Sequence, residues 1–279
     1  MKEDKSKVIL ITGASSGMGK SAAQILLGMG HRVYGLARRQ DEMKDLKDKG
    51  AIVMPLDLTR DASIQNCIQT ILEKENRIDV LINNAGYGSY GAVEEVTLDE
   101  ARRQFEVNLF GLARITQLVL PLMRSKNSGR IVNVSSMGGR IYTPFGAWYH
   151  ATKHAMEGWS DCLRLEVKEF GIKVVVVQPG IIRTSWVDVS IDYLIQSSGS
   201  GAYHQSVHRF AHLLQKLYSH SRSTSPEILG RWIAKAATTD RPRTRYAKGL
   251  LAIPAITLRT WFGDRLYDTA FMWVMKKSN

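Results

Sequence analysis

The chain has 279 residues, enough for one large α/β domain with its own core, and 44% of them are hydrophobic while 23% are charged. Its two cysteines provide no disulfide framework, which predicts a reducing compartment. The polar start lacks the apolar segment of a signal peptide, and no run of about 18 apolar residues predicts a membrane-spanning helix. We therefore expect a cytoplasmic protein.

The formal net charge of +12 suits three kinds of partner: nucleic acid, an anionic membrane surface, or an anionic small molecule such as a phosphorylated cofactor. The basic residues are spread along the chain, and the densest cluster comprises Arg241, Arg243, Arg245 and Lys248. No nucleic-acid-binding motif accompanies them, so nucleic acid is not a predicted partner.

A buried strand is predicted at residues 7–12, followed by a glycine-rich turn and a helix that runs to Gly28. Glycines let the backbone approach a pyrophosphate, and the helix N-terminus offers free N–H groups. The spacing T-G-x-x-x-G-x-G at this position therefore predicts dinucleotide binding. The candidate residues of the turn are Gly13, Ser15, Ser16, Gly17, Met18 and Gly19.

Arg38 and Arg39 directly follow the second predicted strand, residues 32–37. An acidic residue here would bind the ribose 2′-hydroxyl of NAD and repel the 2′-phosphate of NADP. Because a guanidinium binds that phosphate through several donors, the pair predicts NADP as the cofactor.

Two further strands, residues 51–56 and 77–82, end next to cofactor candidates. The carboxylate of Asp57 either binds the adenine amino group or caps the next helix, and Leu58 follows it. Small and amide residues after the fourth strand let a loop pass close to a ligand; they are Asn83, Asn84, Ala85 and Gly86.

The predicted helix at residues 148–170 carries Tyr149 and Lys153, which are one turn apart on the same face. A nearby ammonium group lowers the pKa of a phenol, ordinarily near 10, by about 1–3 units. Tyr149 would then exchange a proton at neutral pH, which is general acid–base catalysis. Ser136 follows the fifth strand, residues 129–134, at the edge of the sheet where ligands bind.

A sixth strand at residues 172–177 and a short seventh at 245–248 complete the alternation of strands and helices. This pattern predicts a single Rossmann-type α/β domain with a doubly wound parallel sheet of about seven strands. The polar stretch 185–224 interrupts the alternation and is predicted to form a mobile, helical lid. Its His204, His208 and His212 would share a helix face, but without a cysteine or carboxylate partner they predict no metal site.

The segment 250–279 is apolar and aromatic on more than one helical face, so it needs more cover than one sheet provides. One stripe contains Leu258, Leu266 and Ala270, and a second contains Tyr267 and Phe271. Core packing, a substrate pocket, a subunit interface and a membrane surface remain open as its environment.

These motifs together resemble the short-chain dehydrogenase/reductase family over residues 7–190. The resemblance rests on the glycine turn, NNAG at 83–86, Asn108, the Ser136–Tyr149–Lys153 set and PGIIRT at 179–184. It implies that Tyr149 transfers the proton, Ser136 binds the substrate oxygen, Lys153 holds the nicotinamide ribose and Asn108 holds a relay water. It adds four cofactor residues of the PGIIRT segment: Pro179, Gly180, Ile182 and Thr184, of which Thr184 meets the carboxamide.

The resemblance is greatest to members that act on hydroxysteroids, retinol or acyl-dihydroxyacetone phosphate. It implies an NADP-dependent oxidoreductase that interconverts a ketone or aldehyde and an alcohol on a bulky apolar substrate, and a homodimer or homotetramer. Two alternatives stay open: an inactive NADP-binding sensor and a protein that acts at a membrane surface.

Overall fold

Seven parallel strands form one sheet in the computed structural model, which describes residues 6–218 and 223–277. Their order in the sheet is β3-β2-β1-β4-β5-β6-β7, which confirms the predicted doubly wound architecture. The strands are β1 Val8–Thr12, β2 Arg32–Ala37, β3 Ile52–Pro55, β4 Val80–Asn83, β5 Gly129–Val134, β6 Ile172–Pro179 and β7 Arg245–Lys248.

Helices cover both faces of the sheet. They are α1 Gly17–Gly28, α2 Lys44–Asp48, α3 Asp61–Glu75, α4 Leu98–Phe105, α5 Gly111–Ser125, α6 Ala147–Glu166, α7 Trp186–Ser198, α8 His204–Tyr218, α9 Pro226–Thr238 and α10 Ala252–Lys276. Successive side chains of a strand point to opposite faces. Ile9 and Ile11 therefore pack with α1 and α9, while Val8 and Leu10 pack with α3 and α5. Burial on both faces explains why the strand sequences are almost entirely apolar.

The stretch from Leu98 to Ser125 is continuous, because a π-helical segment, Glu106–Phe110, joins α4 to α5. Judged only by its length and composition, this stretch is apolar enough to cross a bilayer, contrary to the expectation from the sequence. In the fold, the α5 residues Ile115, Val119 and Met123 pack on the sheet, and a core helix of a soluble protein passes the same test.

The region predicted as a polar lid forms two helices, α7 and α8. Their buried side chains, including Leu194, Val207 and Phe210, form a third apolar cluster that also holds Tyr149. This region therefore has an apolar buried face, which is hard to recognise in a sequence so rich in serine and histidine. Residues 219–222 of the predicted lid lie outside the described part of the chain.

An ion-pair network joins β7 to α6. Arg245 contacts Glu157 at 3.0 Å and Asp161 at 2.6 Å, and the Glu157 carboxylate also accepts a hydrogen bond from Gln178 at 3.0 Å. The Glu157 side chain is 5% exposed, so its charge depends on these partners for compensation. This arginine of the basic cluster thus has a structural role.

Replacing Arg245 with methionine should lower the free energy of unfolding by about 2–4 kcal/mol, because Glu157 is left buried without its cation. Arg102→Met is the matched control, since Arg102 and Asp99 form a pair with 70% and 93% exposed side chains and such pairs contribute less than about 1 kcal/mol. Urea denaturation measures both. Equal losses in the two variants would contradict a special role for the network.

Candidate active site

The glycine turn between β1 and α1 is shaped for close backbone approach. Gly13 and Gly17 have φ angles of 69° and 55°, which other residues rarely adopt. A Cβ atom added to Gly19 would lie 2.5 Å from the carbonyl oxygen of Gly13 and 2.3 Å from Nδ2 of Asn84. The turn therefore excludes side chains at these positions, as a pyrophosphate cradle requires.

Thr12 ties this turn to the end of β4. Its hydroxyl oxygen accepts hydrogen bonds from the backbone N–H groups of Asn84 and Ala85, both at 3.0 Å. The Asn84 side chain donates to the carbonyl oxygens of Thr12 at 3.0 Å and Gly13 at 3.1 Å. Sequence reasoning missed Thr12, although a threonine that ends a buried strand beside the glycines is a usable signal.

The side chain of Asn83 lies in a different environment from that of Asn84. Its side chain is buried and donates to Asn133 at 2.9 Å and Thr116 at 3.2 Å, within the layer below the sheet edge. The structure therefore assigns Asn83 to a packing network and leaves the cavity wall to Asn84 and Gly86.

The two arginines after β2 differ in whether they form an ion pair. Arg39 pairs with Glu42 at 2.8 Å, whereas Arg38 is exposed and, within the described residues, has no ion pair.

Asp57 accepts hydrogen bonds from the N–H of Thr59 at 3.0 Å and its hydroxyl at 2.8 Å, so it stabilises its own turn and caps no helix. Burial raises the pKa of Asp57, but the Thr59 hydrogen bonds and the charge of Arg38 leave it below its usual value. The next residue, Leu58, is buried.

The proposed catalytic side chains converge at the carboxyl end of β5. Tyr149 and Lys153 are 6% and 5% exposed. Burial raises the pKa of Tyr149 to about 12, although a hydrogen bond with Ser136 opposes this increase. Burial lowers the pKa of Lys153 to about 8, and the Glu157 carboxylate opposes that decrease.

Lys153 donates a hydrogen bond from Nζ to the carbonyl oxygen of Val134 at 3.0 Å. The sequence predicted that Lys153 would lower the pKa of Tyr149, but in the folded chain desolvation of the phenol is the larger effect. Because its pKa is raised, the Tyr149 phenol holds its proton at neutral pH.

Asn108 lies in the π-helical segment and is completely buried. Its amide nitrogen donates to Tyr87 O at 2.9 Å and to the Thr152 hydroxyl at 3.1 Å, while its Oδ1 accepts from Tyr87 N at 3.1 Å. A Cβ atom on Gly86 would lie 3.0 Å from Asn108 Oδ1 and 3.6 Å from Lys153 Nζ, so these three residues meet. The segment thus positions a polar residue beside Lys153.

A cavity of about 380 Å³ opens above these residues. Ser136, Tyr149 and Lys153 contribute polar groups to its wall, as does Thr184, whose methyl group would lie 3.2 Å from a Cβ on Gly17. Met18, Pro179, Gly180 and Ile182 of the predicted set also line it. The remainder is largely apolar and aromatic, drawn from α7, α8 and α10.

Several cavity residues were not predicted from the sequence. The Trp186 and Tyr90 rings lie 5.2 Å and 5.7 Å from the Tyr149 ring. His150 holds the loop that precedes α6, with Nδ1 2.8 Å from Gly138 O and Nε2 accepting from Thr143 N at 3.1 Å. Burial lowers its pKa to about 4, so the ring is neutral at pH 7. Only the position of Trp186, directly after the PGIIRT segment, offered a signal.

The rings of His204 and His208 are tilted by 59° with centroids 4.4 Å apart, and both approach the carbonyl oxygen of Gly199. Across residues 6–218 and 223–277, no three His, Cys, Asp or Glu side chains are grouped as metal ligands.

The fold and site define a dinucleotide-binding oxidoreductase with a tyrosine–lysine pair. The family model for short chain dehydrogenases matches residues 7–192, and the chain belongs to the short-chain dehydrogenase/reductase family as an NAD(P)-dependent member.

Relatives match over almost the full length. The 3-ketodihydrosphingosine reductase of Bacteroides thetaiotaomicron is 36% identical, with 95% of this chain and 96% of the relative covered. A dehydrogenase/reductase SDR family protein 7-like of Anopheles gambiae is 33% identical over 97% of this chain and 82% of its own. The crystal structure of a short-chain dehydrogenase from Streptomyces avermitilis has a TM-score of 0.80 at 34% identity and covers 99% of this chain and 97% of its own.

Gly19→Ala should raise the Kd for a reduced nicotinamide dinucleotide, NADH or NADPH, at least about tenfold, because its methyl group meets the backbone oxygen of Gly13 at the cradle. Gly28→Ala is the matched control on the same helix, since nothing lies within 4 Å of its added Cβ. Fluorescence titration measures both variants. An unchanged Kd for Gly19→Ala would show that the turn does not hold the pyrophosphate.

Proposed function

We propose that this protein is an NADP-dependent oxidoreductase that interconverts a ketone or aldehyde and an alcohol on a bulky, lipid-like molecule. The observation that carries the proposal is the cavity, in which the hydroxyl groups of Ser136 and Tyr149 lie among largely apolar walls. Such a pocket holds an apolar body by burial and orients one polar group.

The comparison with relatives supports the same class of substrate. The Bacteroides relative is named for a ketone on a lipid, 3-ketodihydrosphingosine, and is 36% identical over 95% of this chain. The aromatic lining provided by α7, α8 and α10 suits a long apolar chain, since burying each methylene contributes about 0.8 kcal/mol.

The residues present fit a nicotinamide dinucleotide. The glycine turn leaves room for a pyrophosphate, and Arg38 is available for a 2′-phosphate. Thr184 lies where the cavity meets the turn, and Lys153 lines the cavity beside Gly86. When bound, the nicotinamide supplies or accepts a hydride. Preference for NADP rests on the pairing of a guanidinium with a dianionic phosphate.

The chain itself performs the proton transfer. Ser136 orients the substrate oxygen by a hydrogen bond, and Tyr149 donates its proton to that oxygen in the reductive direction. The developing phenolate is stabilised by the Ser136 hydrogen bond and, in its charged form, by Lys153 one helical turn away. In the oxidative direction the phenolate takes the proton back. Asn108 contributes by fixing the backbone beside Lys153.

Tyr149→Phe should bind NADPH as the wild type does and reduce kcat about 10²–10⁴-fold, because the ring is kept while the proton donor is lost. The assay is NADPH oxidation with a panel of steroid, retinoid and long-chain ketone substrates. A variant that keeps more than about a tenth of wild-type kcat would remove Tyr149 from the mechanism. A wild type inactive on the whole panel would favour a sensor.

The cofactor choice is tested at Arg38. Wild type should prefer NADPH by about 10–10³-fold in kcat/KM. Arg38→Ala should raise KM for NADPH and spare NADH, and Ala37→Asp should reverse the preference by repelling the 2′-phosphate. Arg39→Ala is the matched control with a smaller effect, because Glu42 already pairs with Arg39. Equal use of both cofactors by the wild type would overturn the assignment.

A further inference from the structure

The C-terminal helix α10 has a concentration of exposed apolar side chains. Of fifteen large hydrophobic residues that are exposed in the described chain, eight lie between Leu251 and Val274. Trp261 is 80% exposed, Phe262 62% and Trp273 57%. Singly scattered apolar residues need no explanation, but such a cluster marks an interaction surface.

This surface continues the wall of the cavity. Pro254 and Leu258 line the cavity, and Trp261 lies on the same helical face at the spacing i, i+4, i+7. Gly263, with φ of 78° and ψ of −179°, interrupts the helix directly after Phe262.

The second half of α10 repeats the pattern. Ala270 lines the cavity, and the exposed Leu266 and Trp273 share its helical face at i−4 and i+3. On the inner side, Tyr267 and Phe271 pack towards the cavity, and Tyr267 donates to Tyr142 O at 2.8 Å. The helix α10 therefore covers the cavity and has apolar side chains both on the face towards the cavity and along its solvent-exposed edge.

The charges around this edge are cationic. Both acidic residues of the helix have partners: Asp264 pairs with Arg259 at 2.5 Å, and Asp268 accepts from the Tyr142 hydroxyl at 2.8 Å. Arg265, Lys276 and Lys277 are exposed and form no ion pair with any residue in 6–218 or 223–277. Lys277 lies 3.9 Å from the centroid of the Trp273 ring.

We propose that the outer edge of α10 docks on an anionic lipid bilayer, so that an apolar substrate passes from the bilayer into the cavity. Tryptophan beside basic residues is typical of the interface of a membrane. A contact between two copies of α10 would place the same three unpaired cations of each copy near one another, whereas an anionic bilayer neutralises them. The delivery of substrate rests on the function proposed above; the docking does not.

Sedimentation of the full chain with vesicles tests the docking. Wild type should bind vesicles of mixed phosphatidylcholine and phosphatidylglycerol, bind pure phosphatidylcholine weakly, and be released by high salt. The double variant Trp261→Ser/Trp273→Ser should reduce binding at least about tenfold. Met29→Ser removes an exposed apolar residue elsewhere, 52% exposed, and should change nothing.

A charge variant gives a second, independent measurement that leaves every apolar contact in place. Lys276→Gln/Lys277→Gln should weaken binding about 25-fold, since each lysine near an anionic surface contributes about fivefold. Lys47→Gln/Lys49→Gln, two exposed lysines of the α2 region, is the matched control. Wild type that stays in the supernatant, or variants that bind like wild type, would overturn the proposal. A further outcome would also overturn it: wild type does not bind vesicles, and Trp261→Ser/Trp273→Ser changes the oligomeric state measured by light scattering.

Turnover separates this proposal from the function. A short, water-soluble ketone should be reduced equally by wild type and both α10 variants, whereas a long-chain ketone held in vesicles should be reduced more slowly by the variants. Vesicle binding without turnover of any carbonyl compound would support the docking proposal and overturn the proposed oxidoreductase function. Turnover without vesicle binding would overturn only the docking.

Discussion

The site depends on the hydroxyl of Thr12, which connects the end of β1 to the backbone that follows β4. It accepts hydrogen bonds from two successive backbone N–H groups after β4, at 3.0 Å each, and so fixes the separation of two strand ends. β1 and β4 are the neighbours at which the order of strands changes direction, and a crevice opens there in any doubly wound sheet. The glycine turn and the loop with Gly86 form the two walls of that crevice.

Desolvation has the largest effect on the pKa values of Tyr149 and Lys153. The Lys153 ammonium and the Tyr149 phenol are both buried, and burial shifts each pKa towards the neutral form. Between pH values of about 8 and 10.5 the unfolded chain holds more of the Lys153 proton than the folded chain, so this residue contributes stability that increases with pH across that window. The fold thus maintains at neutral pH a lysine cation that costs free energy, in a position where a phenolate and an anionic cofactor would use it.

The sequence was sufficient for the sheet, because β-branched runs alternate with helical patterns and each strand is buried on both faces. It also predicted Tyr149, Lys153 and Ser136 as site residues from their spacing along a helix and after a strand, and the fold brings all three to one cavity. It did not distinguish Asn83 from Asn84, since two adjacent asparagines look alike in the sequence, although in the fold only Asn84 lines the cavity and Asn83 is buried in a packing network. It also did not reveal the buried stripe of Val207, Phe210 and Leu214 among the polar residues of α8. The aromatic wall of the cavity comes from distant segments whose meeting depends on tertiary packing.

The aromatic cluster around Tyr149 has one more consequence. Trp186 belongs to α7, and its ring centroid lies 5.2 Å from that of Tyr149, so α7 supplies part of the desolvation that raises the pKa of Tyr149. Any displacement of α7 that admits water would stabilise the phenolate and lower this pKa. The packing of α7 and the acidity of the phenol are therefore coupled: a dry cluster keeps the proton on Tyr149, and a hydrated one favours its release.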